Sequence, residues 1–116
     1  MEMHRIETFT ATIYCGFKPG YQGKEVWNAF NIAEKICQDY CNEHGMGFTI
    51  EPTRFIYKDG NENGVRVGII NYPRYPKQKT EHKNIALEIA GQLMGIFEQQ
   101  RVSIVCTDET IMLGSK

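Results

Sequence analysis

Two segments of helical period each stand between segments of strand period, and one turn-rich stretch separates the second strand from the third. That order restricts the chain more than any other feature of it. From Ile6 to Gly16 the residues alternate, with Phe9, Ala11, Ile13 and Cys15 on one side and Thr8, Thr10, Thr12 and Tyr14 on the other. This is the pattern of a half-buried strand. Gly16 to Gly23 holds glycines and a proline and reads as a loop. From Lys24 to Glu43, Val26, Phe30, Ala33, Cys37 and Tyr40 recur at three- and four-residue steps, with Trp27, Ile36 and Cys41 widening the stripe. The spacing predicts an amphipathic helix, stopped at Gly45.

Phe48 to Tyr57 alternates again, and Pro52 within it predicts an edge strand or a bulge. Lys58 to Gly64 is dense in turn formers and predicts a hairpin loop. Val65 to Tyr72 is the third strand. Pro73 and Pro76 end it, Thr80 suits an N-cap, and the second helix runs to about Gln99 on a stripe that includes Ile89, Leu93, Ile96 and Phe97. The Gly91 and Gly95 spacing suggests a helix packed close to the sheet. Arg101 to Cys106 supplies the last strand, with pairing resumed at Ile111 to Leu113 after an interruption at Thr107 to Thr110.

Strand, helix, strand, hairpin, strand, helix, strand implies an α+β, ferredoxin-like β-α-β-β-α-β fold. Its expected form is a four-stranded antiparallel sheet with both helices on one face, occupying residues 1–116 as one unit. The other sheet face would carry Thr10, Thr12, Tyr14, Thr53, Phe55, Tyr57, Arg66, Ile70, Tyr72, Ser103 and Val105. Such an apolar surface marks an interface or a ligand site, and sheets of this kind often bury it by oligomerisation.

Composition narrows the function classes. Thirteen basic and fourteen acidic residues leave a net charge of -1, without the basic excess of a strong nucleic-acid binder. Met1-Glu2-Met3-His4-Arg5 opens no secretory signal, and no apolar run reaches the ~20 residues of a membrane span, so a cytoplasmic location in a bacterial or phage-infected cell is expected. Cys15, Cys37, Cys41 and Cys106 form no C-x-x-C, and His4, His44 and His82 are scattered, so neither a metal site nor a cofactor is indicated.

Three clusters carry chemistry. The glycine-rich loop holding Lys18, just before a helix, has the backbone of an anion cradle, although its spacing matches no phosphate-binding motif. Arg54 and Tyr57 on one hairpin strand, with Asn71, Tyr72 and Arg74 after its partner, are expected to converge at one end of the sheet. Arg54 has core-side parity, which a bulge at Pro52 would reverse. Asp108 and Glu109 place two acids beside hydroxyls, without a nucleophile or metal set around them.

The segments Pro52 to Tyr57, Ile70 to Arg74, Arg101 to Val105 and Asp108 to Leu113 resemble those of small uncharacterised bacterial and phage proteins. That resemblance implies no activity. The element order is also distantly similar to the PII and CutA proteins, which are trimers of ferredoxin-like sheets; no nucleotide motif of PII can be matched here residue by residue.

The resulting expectation is a non-enzymatic homo-oligomeric protein that binds or sequesters a small anionic, nucleotide-like ligand. The candidate site is Tyr14, Lys18, Arg54, Tyr57, Asn71, Tyr72 and Arg74. The alternative is a phage-encoded inhibitor or adaptor with a protein partner. A small enzyme using Asp108 and Glu109, or an RNA-binding domain, ranks behind both.

Overall fold

The computed structural model describes residues 1–114. Ser115 and Lys116, the end of the expected 1–116 unit, lie outside the described residues. The elements are β1 (Thr10–Gly16), a 3-10 turn (Pro19–Tyr21), α1 (Ala29–His44), β2 (Thr49–Tyr57), β3 (Gly60–Ile70), α2 (Lys79–Ile96), β4 (Arg101–Cys106) and β5 (Thr110–Gly114). They make an α+β fold with one five-stranded antiparallel sheet, ordered β2-β3-β1-β4-β5. The expected four strands are therefore corrected to five. Ile111 to Leu113 do not merely resume pairing: β5 folds back on β4, with Ile104 opposite Ile111 and Val102 opposite Leu113.

The alternation in the strands does its work on one face. Ala11, Ile13, Cys15, Val65, Val67, Ile69, Val102 and Ile104 are buried there against Ala33 and Cys37 of α1 and Ala86, Ile89, Ala90 and Leu93 of α2. Each Val, Leu or Ile buried this way contributes about 1.5–3 kcal/mol. Tyr40 donates to Glu88 at 2.5 Å and ties the two helices together. Among the described residues no helix is long and apolar enough to cross a membrane.

Several local expectations need correction. Helix α1 begins at Ala29, because Asn28 is left-handed at φ 67 and breaks the run. Trp27, placed in the buried stripe, is 88% exposed. Thr80 lies inside the first turn of α2, whose cap is Gln78. Gly91 and Gly95 face open space and Ile96 is exposed, so the two glycines bring no close approach to the sheet. The hairpin turn is only Lys58 and Asp59, the latter at φ 60, and Asn61 to Gly64 belong to β3. Two residues suffice to join antiparallel strands, and backbone pairing overrides the turn propensity of the rest.

Pro52 lies in β2, an edge strand, where a missing N–H is tolerated. The register from Thr49 to Tyr57 is unbroken, so no bulge moves Arg54 to the second face.

Candidate functional site

The sheet face turned away from the helices has an unusual floor at the β2–β3 turn end. Along β3 the residues on that face are Gly60, Glu62, Gly64, Arg66 and Gly68. A Cβ on Gly60 would strike the Tyr57 ring, and one on Gly64 would strike the Phe55 ring and the Cys15 carbonyl. Missing side chains on β3 therefore let the two rings of β2 lie flat across the neighbouring strand. Gly16 at the end of β1 makes the same allowance for a carboxylate: its Cβ would stand 2.5 Å from Glu62 Oε2.

Glu62 is the chemical centre of this end. It is 4% exposed. The Lys18 backbone N–H donates to its Oε2 at 2.8 Å. Among the described residues it has no ion pair, because the Lys18 ammonium turns instead to the Asn61 carbonyl at 3.0 Å. A carboxylate taken out of water is costly unless hydrogen bonds compensate it, and here the donors are a backbone N–H and the Tyr57 hydroxyl rather than a cation.

The loop after β1 is built around that contact. Phe17 packs on Phe97, ring centroids 4.7 Å apart, and the Gly20 N–H donates to the Glu98 carbonyl at 3.2 Å. Gly20 at φ 53 and Tyr21 at φ 67 are both left-handed. Glycine adopts that conformation freely, whereas for Tyr21 it costs about 1–2 kcal/mol. The result is a Tyr21 ring set edge-on to Tyr57, centroids 6.3 Å apart. Gln99, buried between this loop and β4, donates to the Lys18 carbonyl at 2.9 Å and fixes the loop from behind.

Tyr14, Tyr21, Phe55, Tyr57, Glu62 and Gln99, with Arg101 and Ser103 of β4 and Met112 of β5, thus line an open cleft of about 230 Å³. Burial pushes the Tyr57 hydroxyl up from its ordinary value, and its hydrogen bond to the charged Glu62 adds to the shift. It therefore remains a proton donor at neutral pH. Cys15, just beneath, is no nucleophile: burial, assisted by the Glu62 charge, raises its thiol to about 12.

Of the residues singled out from sequence, Tyr14 and Tyr57 line this cleft, and Lys18 borders it through its backbone. Arg54 is exposed on the helix side of β2, donating to Asn61 and Asn63. Asn71, Tyr72 and Arg74 lie at the opposite end of the sheet. The expected convergence is corrected: in an antiparallel hairpin the end of the first strand meets the start of the second, and Ile70 stands about 33 Å along β3 from Gly60. Asn71 there is a structural knot, donating to the Glu7 carbonyl and accepting from the Lys77 N–H and from His82 Nε2. Arg74 is exposed over the Tyr75 ring.

Asp108 and Glu109 occupy the β4–β5 turn and are held by Lys79 and Lys83. Hydrogen bonds from both lysines bring Asp108 down to about 2, so it stays ionised and holds no proton for acid catalysis. Among the described residues no three His, Cys, Asp or Glu side chains are grouped to hold a metal.

Sequence reasoning passed over Glu62, Tyr21 and Gln99, and it left Phe55 out of the site. The available signal was the alternation of glycine with charge from Gly60 to Gly68, hidden because those residues also read as a turn.

A buried carboxylate without an ion pair, set among aromatic rings in a cleft, has the make-up of a candidate small-ligand site. No protein-family model and no curated protein sequence matches the chain. Among solved structures it is similar to a phage SAM lyase in complex with S-methyl-5'-thioadenosine, at TM-score 0.76 and 16% identity, covering 99% of this chain and 95% of that one. It is similar also to a phage SAM lyase in the apo state, at TM-score 0.74 and 16% identity, covering 100% and 98%. At that identity the likeness establishes shared fold. Both structures are of an enzyme, and this overturns the expectation of a non-enzymatic binding protein.

Proposed function

We propose that this chain is an enzyme of the SAM-lyase type, which cleaves the sulfonium of an S-adenosyl amino acid and releases S-methyl-5'-thioadenosine. In such a reaction the bond from sulfur to the amino-acid chain breaks and its electron pair goes to sulfur. The sulfonium becomes a neutral thioether, and a carboxylate oxygen of the same amino-acid fragment forms the new bond to the carbon that sulfur leaves, closing a lactone without water.

The observation that carries the reading is Glu62, buried without a cation beneath aromatic rings. The reaction destroys a positive charge, so surroundings poor in water favour its transition state over the charged substrate. Tyr14, Tyr21, Phe55 and Tyr57 provide such walls. Glu62 and the Tyr57 hydroxyl supply one fixed acceptor and one fixed donor, which orient the polar groups of the ligand. Lys18 acts through its N–H, holding Glu62 in place. Arg54, Asn71, Tyr72 and Arg74 take no part in this reading.

The strand order β2-β3-β1-β4 supports a ferredoxin-like unit to which β5 adds an edge. Ile70, Val105 and Met112, exposed on the same sheet face, support a homo-oligomer. The test is direct. Purified protein incubated with S-adenosylmethionine should generate S-methyl-5'-thioadenosine, followed by chromatography. Folded protein that generates none overturns the proposal.

A further inference from the structure

The same sheet face carries a half-exposed guanidinium that makes no hydrogen bond within the subunit and one loose ion pair. Arg66 on β3 stands opposite Tyr14 on β1, with its guanidinium over the Tyr14 ring at 5.3 Å. Glu51 on β2 lies 3.8 Å from Nη1, beyond hydrogen-bond range. Arg66 Nε is shielded from solvent and has no acceptor. A guanidinium presents five donors in a rigid fork, and a buried donor without an acceptor is a state that folds avoid. The exposed Nη edge of the fork is open to an acceptor from outside.

Position says which acceptor. Tyr14 is shared: its ring lies under Arg66 and also lines the cleft. Arg66 and Glu62 are four residues apart on the same face of one strand, hence about 13 Å apart at the usual strand rise. Gly64 lies between them and adds no side chain of its own to the floor. A ligand with a nucleoside at one end and an amino-acid tail at the other matches that span. Planar, bidentate recognition of a carboxylate is what a guanidinium does best.

We infer that Arg66 binds the carboxylate of the amino-acid tail of the ligand, extending the cleft along β3 beyond Tyr14. The inference rests on the adenosyl reading above and deepens it, since it makes the free carboxylate part of what the site selects. Glu51 and Tyr14 then hold the guanidinium in place before the ligand arrives.

Calorimetric titration with three unreactive ligands tests this: S-adenosylhomocysteine, its decarboxylated analogue, and S-methyl-5'-thioadenosine. The wild-type protein should bind the first most tightly. Arg66→Met should weaken S-adenosylhomocysteine by about 10- to 100-fold, the range for a hydrogen bond to a charged group. The other two ligands should be unaffected. Arg66→Lys should recover part of the loss. Equal weakening of all three ligands, or of none, overturns the assignment. So does a change of oligomer size on sedimentation without discrimination between ligands, which would give Arg66 a carboxylate of a second copy as its partner. Wild-type protein that binds none of the three overturns the adenosyl reading itself, and this inference with it.

Discussion

The two ends of the sheet use similar residues to opposite effect. At the far end most polar groups close on one another, His82 Nδ1 being buried without a partner. Asn71 satisfies a carbonyl, an N–H and a histidine, His82 is stacked on Phe9 with centroids 5.4 Å apart, and Lys79 and Lys83 neutralise Asp108 and Glu109. At the near end Glu62 is buried with a single backbone donor, a tyrosine and no ion pair, and Arg66 keeps its Nε without an acceptor beside a 3.8 Å ion pair to Glu51. Two acids side by side looked more catalytic in the sequence than one glutamate in a turn. The packed arrangement separates them: Asp108 and Glu109 are paired with lysines, whereas Glu62 has no ion pair among the described residues and Arg66 meets only Glu51, at 3.8 Å.

The largest effect separating the two ends should come from charge removal. Glu62→Gln should lower turnover of S-adenosylmethionine by about a hundredfold, as expected when a positioned substrate is released from its orienting group. Asp108→Asn should leave turnover unchanged. Steady-state kinetics on the two variants checks this, and equal losses would dissolve the distinction between the ends.

Next comes the floor. Gly16→Ala should destabilise the fold by about 1–3 kcal/mol, since the new methyl meets the Glu62 carboxylate in a packed site. Thermal unfolding should show a lower Tm, together with lost turnover. An unchanged Tm would mean that the carboxylate moves freely and is not held.

The far end should respond to pH. His82 is 2% exposed, and burial, aided by the Lys77 charge, lowers its pKa below 6.5, with Glu81 opposing. In the unfolded chain the imidazole takes up a proton near pH 6.5; in the fold it resists. Stability should therefore fall as pH drops below 6.5 and level off once the depressed folded value is passed. His82→Phe should flatten that slope in denaturant titrations at pH 7 and pH 5. An unaltered slope would place the acid sensitivity elsewhere.

The smallest effect belongs to neither end. Gly91→Ala, on the solvent side of α2 with nothing near its added methyl, should stabilise the protein by about 0.5–1 kcal/mol without changing turnover. Chemical denaturation measures it and calibrates the baseline for the other variants.

Much of the fold was legible along the chain. Period-two alternation assigned Ala11, Ile13, Val65, Val67 and Ile69 to one face and Tyr14, Phe55, Tyr57 and Arg66 to the other, and every one of those assignments is met. Pro52 marked its strand as an edge. These are local matters, fixed by the two-residue repeat of a strand and by the donor that proline lacks. The fifth strand was only half legible, because Thr107 to Thr110 signalled an interruption without saying that the chain reverses there.

What the chain alone determined was which residues share a face. Which residues share a place was decided by tertiary structure. Register and turn length set distance along a strand, and they carried Asn71, Tyr72 and Arg74 away from Tyr57 while bringing Lys18 and Gln99 of two separate loops together with Glu62 of β3. A buried charge is recognisable only when its neighbours are known, since burial and pairing are properties of the packed arrangement. That is why Glu62 reads as one more turn residue in the sequence and as the centre of the candidate site in three dimensions.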